Sequence, residues 1–160
     1  MRNCRPDASE NGDDFGTLIR HYRVHHRPRT VAELGFFANA PSLEFAVHHA
    51  ALAIDDREKR FGHQYRIPFA ALKRAKILLE SAVSRLKGCK SFNELHSLLR
   101  QLLGGVRGLG ELYFYDTALR LGAFLRLAPE FVYLHRGTRM GARSRRQGDP
   151  FVRWCGRGRP

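Results

Sequence analysis

The chain is predicted to be all-α: a compact bundle of five or six helices around a central apolar helix, with disordered termini. Three observations carry this. Apolar residues recur every three or four positions through most of residues 30–127, the period of a helix with one buried face. Helix start and stop signals punctuate that pattern at regular intervals. No stretch alternates with the period of two that a half-buried strand requires.

Taken in order, residues 1–29 mix Arg, His, Asp, Asn and Gly with little apolar periodicity and are expected to form a disordered lead-in. A helical domain over 30–143 follows. Thr30 and Glu33 have the spacing of a capping box, in which hydroxyl and carboxylate each serve an orphan amide, and a short helix should run to just before Pro41. Ser42 is placed to cap the next helix, where Leu43, Ala46, Val47 and Ala50 share a face, and residues 55–66 read as a polar connection. Pro68 suits a first helical position, and Leu72, Ala75, Leu79, Ala82 and Leu86 then line one side of the clearest amphipathic helix, which Gly88 ends. Ser91 and Glu94 form a second capping box, opening a helix that stops at Gly104-Gly105. Residues 111–127 are apolar on most of their circumference, so this helix belongs at the centre. From about Ser144 onward periodicity vanishes into a basic, disordered tail over 144–160.

Length and composition bound the possibilities. With 160 residues, 43% of them hydrophobic, the chain builds one domain with a real core. Its net charge of +13 favours polyanionic partners, but the excess is uneven. Residues 1–29 hold six Arg against four acids and 30–135 hold fourteen Lys and Arg against ten, whereas 136–160 hold eight Arg against Asp149 alone. The charge therefore describes the tail better than the domain. Cys4, Cys89 and Cys155 make no paired motif, which points to a reducing, cytoplasmic setting, and no apolar run suggests a membrane span or a cleaved leader.

The segment GGVRGLGELYFYDTALRLG, residues 104–122, breaks the helical pattern with glycines. Leu102, Leu103 and Val106 precede Gly108-Leu109-Gly110, and a helix follows from Glu111. This resembles the helix-hairpin-helix motif of DNA-binding and DNA-repair proteins, over residues 91–122. The resemblance implies that amides of Gly108 and Gly110 contact a DNA backbone without reading bases, that Val106 and Leu109 pack the hairpin, and that DNA is favoured over RNA. Two positions depart from the pattern. Phe114 stands four places after the second glycine, where the family has a small residue, and Glu111 sets a carboxylate at the positive end of the new helix. A tight corner between helices, with glycines serving geometry alone, accounts for the same residues.

Asp116 is the one acid in an apolar segment, and helical spacing places it with Leu112, Leu119 and Ala123 toward the interior or its rim. A buried carboxylate needs a partner, for which Arg107, His135, Arg139 and Arg143 are candidates. The group is either a structural ion pair or a catalytic acid or base. Glycosylases with this hairpin carry an essential aspartate farther along the chain than Asp116 stands, so that role does not transfer. Arg136, Arg139 and Arg143 gather guanidinium forks suited to phosphate, and Tyr113, Tyr115 and Tyr133 are packing or stacking residues. His21, His25 and His26 would align only if their segment were helical, and neither metal nor cofactor is expected.

The leading expectation is a nucleic-acid-binding protein that holds backbone phosphates through Arg107, Gly108, Gly110, Arg136, Arg139 and Arg143. An enzyme acting on nucleic acid or another phosphorylated substrate through Asp116, and a helical protein-interaction domain, are the alternatives.

Overall fold

The computed structural model describes residues 11–131, and these are all-helical. Among them are seven α-helices: α1 (Asn11–His25), α2 (Arg27–Ala38), α3 (Leu43–Leu52), α4 (Phe69–Glu80), α5 (Val83–Gly88), α6 (Phe92–Leu103) and α7 (Glu111–Leu125). A single 3-10 turn, Gly62–Gln64, interrupts the connection between α3 and α4. Helix α7 lies at the centre and packs against α2, α3 and α6, while α3 also packs along α4. None of the described helices is long and apolar enough to cross a membrane.

The count exceeds the expected five or six for two physical reasons. Residues 11–29 do not stay unstructured: α1 fills most of them and α2 begins at Arg27, ahead of the expected start at Thr30. Pro28 sits in the first turn of α2, where its missing N–H is no loss. The capping box of Thr30 and Glu33 is accordingly unused. Thr30 donates its hydroxyl to the His26 carbonyl at 3.4 Å, and Glu33 turns to a different partner described below. The second reason lies at Ser81, whose hydroxyl donates to the Leu78 carbonyl at 2.9 Å. There the amphipathic helix divides into α4 and α5, a serine hydroxyl competing for a backbone acceptor. The buried line of Leu72, Ala75, Leu79, Ala82 and Leu86 nevertheless continues across the break.

Other signals act as read. Ser42 accepts from the Phe45 amide at 3.1 Å and starts α3, whose Ala46, Val47, Ala50 and Ala51 are buried and let α4 approach closely. Ser91 accepts from the Glu94 amide at 3.2 Å, and Glu94 returns to the Lys90 amide at 2.8 Å. Helix α6 then buries Phe92, Leu95, Leu99 and Leu103, a stripe at three- and four-residue spacing. Helix α7 buries Tyr113, Phe114, Ala118 and Leu121 among its neighbours, and the Tyr113 hydroxyl donates to the Ala51 carbonyl at 2.7 Å, tying α7 to the end of α3. At its other end α7 stops in a tight return. Arg126 takes φ 59°, Leu127 donates to the Gly122 carbonyl, and a Cβ on Gly122 would lie 2.6 Å from the Leu127 oxygen. Only glycine fits there.

Candidate functional site

Two polar regions meet on α7, one at its start and one along its middle. The start is the corner from α6. Residues 104–110 tighten through two bonds, Val106 N–H to Leu103 O at 2.9 Å and Leu109 N–H to Val106 O at 3.2 Å. Gly108 then takes φ +96°, a left-handed conformation that glycine adopts at little cost. It also needs to be small: a Cβ there would stand 3.3 Å from Pro68 Cδ and 3.7 Å from Ala71 Cβ, at the first turn of α4. Leu109 packs partly into the core, whereas Arg107, Gly108 and Gly110 are exposed.

Gly110 is the residue before α7, in extended backbone, and as a glycine it brings no capping side chain to the helix. The first amides of a helix lack internal acceptors, and the helix dipole adds partial positive charge, so this end offers donors to an anion. Glu111 lies in the same first turn. Phe114, where the hairpin family has a small residue, is buried with its ring edge-on to Tyr113.

The second region is a buried polar network. Arg120 is 1% exposed. Its Nε donates to Glu33 Oε1 on α2 at 2.9 Å, its Nη1 donates to Gln64 Oε1 at 2.9 Å, and its guanidinium lies 3.9 Å from the centre of the Phe61 ring. Gln64 Nε2 in turn donates to Asp116 Oδ2 at 2.9 Å. The amide can have only this orientation, because a guanidinium has nothing to accept with and an ionised carboxylate nothing to donate. His63 Nε2 stands 2.9 Å from the same oxygen, with its ring half-exposed. Burial pushes the Asp116 carboxyl above its usual range, opposed by Arg120 and by the bond from His63.

Asp116 thus finds partners other than those considered from sequence. His63 and Gln64 come from the polar connection, and Arg120 stands one turn along the same helix. Arg107 is exposed at the corner, and His135, Arg139 and Arg143 lie outside the described residues, as do Arg136, Tyr133 and the basic tail. The i, i+4 spacing of Asp116 and Arg120 is a signal in the sequence; nothing in residues 55–66 marks His63 or Gln64.

A cavity of about 390 Å³ opens between α2 and the loop after α3, with Arg29, Glu33, Phe36, Asp55, Arg60 and Phe61 among its walls. Asp116 and His63 are not part of its lining. The loop holds its own shape: Asp55 Oδ1 accepts from the amides of Arg57 and Lys59, each at 2.9 Å, and these bonds draw its pKa down. Arg60 donates to the carbonyls of Gln64 and Ile67 at 2.7 and 2.8 Å, bracing the segment that presents Gln64. The histidines of α1 do come together, His21 and His25 at 4.4 Å between ring centres. Among the described residues no group of three or more His, Cys, Asp or Glu is arranged to hold a metal ion.

Comparison with protein-family models, curated proteins and solved structures gives no match to this chain.

Proposed function

We propose that the chain binds nucleic acid by its backbone, at the corner between α6 and α7, with little regard for sequence. One observation carries the reading: the exposed corner combines Gly108 at φ +96° with a start of α7 whose N-cap residue, Gly110, brings no capping side chain. Amides at such an end suit a phosphate oxygen, and exposed Arg107 adds a guanidinium beside them. Arg136, Arg139 and Arg143 would extend the contact, each neutralising a further phosphate. Because the donors are backbone groups and guanidinium forks aimed at phosphate, they position the nucleic acid and leave its bases unread. DNA is the proposed form, following the likeness to the hairpin motif.

Asp116 fits this reading as a structural residue. Its Oδ2 serves two donors, and the adjacent cavity is walled by other groups. The test is binding of a labelled DNA duplex by the full chain at two salt concentrations, alongside Arg107→Ala and Gly110→Asp. Affinity should fall steeply with salt, and each variant should bind about ten-fold more weakly, as loss of one charge-assisted contact implies. Variants that bind like the parent chain would assign the affinity to the basic tail and end the proposal.

A further inference from the structure

Two aromatic rings lie open to solvent on the segment that receives the corner. Tyr65 is 60% exposed and Phe69 is 51% exposed, although burying either ring would be favourable if the fold had room for it. Each carries a cation. The Arg66 guanidinium lies 5.6 Å from the centre of the Tyr65 ring, and Lys73 Nζ lies 4.8 Å from the centre of the Phe69 ring. Arg66 is further fixed by donating from Nε to the Tyr65 hydroxyl at 3.2 Å. The pairs flank Pro68, the residue that Gly108 approaches, so rings, cations and the glycine corner occupy one end of α4.

This composition favours one occupant. An apolar protein surface would have to strip water from Arg66 and Lys73 without returning a charge. A nucleic acid strand supplies both complements, since its phosphates meet the cations and its bases present flat faces to the rings. In a duplex those faces are already stacked on one another and unreachable.

We infer that Tyr65 and Phe69 form a stacking platform for unpaired bases, so that the protein prefers single-stranded or unpaired nucleic acid over duplex. This rests on the phosphate-binding reading above and adds the substrate class to it. The cations hold the strand by its backbone while the rings take successive bases, a contact indifferent to base identity because every base has a π face.

The test uses the full chain and three labelled probes at one salt concentration: a single-stranded deoxyoligonucleotide, its duplex, and an abasic oligomer with the same phosphates. The parent chain should bind the single strand about ten-fold or more tighter than the duplex, the effect of stacking at least one base. Tyr65→Ala/Phe69→Ala should lose that advantage and leave duplex and abasic affinities unchanged. Both side chains are exposed, so the double variant should keep the parent's helical content and melting temperature. Retention of the preference in the variant would overturn the platform, as would a parent chain that binds duplex as well as single strand. In either case the phosphate reading would stand. Binding to none of the probes would remove both proposals together.

Discussion

The start of α7 and its polar middle lie about two helical turns apart and spend their polar groups in opposite ways. At Gly110 the helix opens on a residue with no side chain to cap it, in a corner exposed to solvent. From Asp116 to Arg120 the same helix turns polar groups inward, and a chain of bonds runs from Glu33 through Arg120 and Gln64 to Asp116 and His63. Groups that satisfy one another inside a fold hold its elements in place, whereas donors left at a surface are available to a partner. The contrast sets a stabilising middle of α7 against the start to which binding is proposed.

The most severe way to break that contrast is Arg120→Ala. It removes the buried guanidinium of the network, leaving Glu33 and Asp116 without it and Gln64 Oε1 without its donor. The expected loss is about 3–5 kcal/mol of folding free energy, the cost of breaking a buried ion pair from one side, read from urea unfolding. A loss under about 1 kcal/mol would mean that the network is not what holds α2 and the 53–68 connection to α7. Gly108→Ala comes next. The residue would enter a left-handed conformation and press on Pro68, so a destabilisation of about 1–3 kcal/mol is expected from the same measurement. Weakened nucleic-acid binding in that variant would therefore say little about contact.

Asp116→Asn sharpens the contrast by separating charge from shape. Burial raises the folded-state pKa of this carboxyl above its ordinary value of 3.8. The folded protein thus holds the proton more tightly than the unfolded chain, and the cost of ionising Asp116 is absent below 3.8 and sets in as pH rises through the folded pKa. Stability of the Asn variant relative to the parent should consequently increase over that interval and then level off. His48 and His96 act in the other sense. Burial lowers both, helped by Lys76 and Arg100 respectively, so the stability they contribute is full above 6.5 and is lost as pH falls through their folded values. Parallel stability curves for parent and variant from pH 4 to 8 would show that Asp116 is not held as the geometry implies. DNA affinity, in contrast, should be unchanged by Asp116→Asn.

Sequence made the all-α class and the central place of α7 legible because both depend on periodicity, and Ser42 and Ser91 because a cap is a local event. It misled at Thr30, where the cap spelling is correct but an earlier start at Pro28 takes precedence, and at Ser81, where a hydroxyl splits a continuous apolar face. The Asp116 network lay mostly beyond its reach. Gln64 and His63 arrive 52 and 53 residues before Asp116, from a segment with neither periodicity nor motif, and only folding brings such residues together. Tyr65 and Phe69 were hidden for the opposite reason: next to a helix start, aromatic residues look like core until their exposure is known.

The gentlest intervention on stability bears most directly on function. Gly110 has extended backbone, and a Cβ added there meets nothing within 4 Å, so a side chain is accommodated. Aspartate at that position would accept from the amides at the start of α7, adding a few tenths of a kcal/mol to stability while occupying the donors a phosphate needs. Gly110→Asp should then melt no lower than the parent and bind DNA about ten-fold more weakly, which misfolding cannot explain. Glu111→Gln should act in reverse, removing a carboxylate from the same turn and tightening binding about two- to five-fold, as expected for one charge near a helix end. Two variants a single residue apart would move affinity in opposite directions while the fold stays intact. If both left affinity unchanged, the start of α7 would be a corner and nothing more, and the binding role assigned to it would fall.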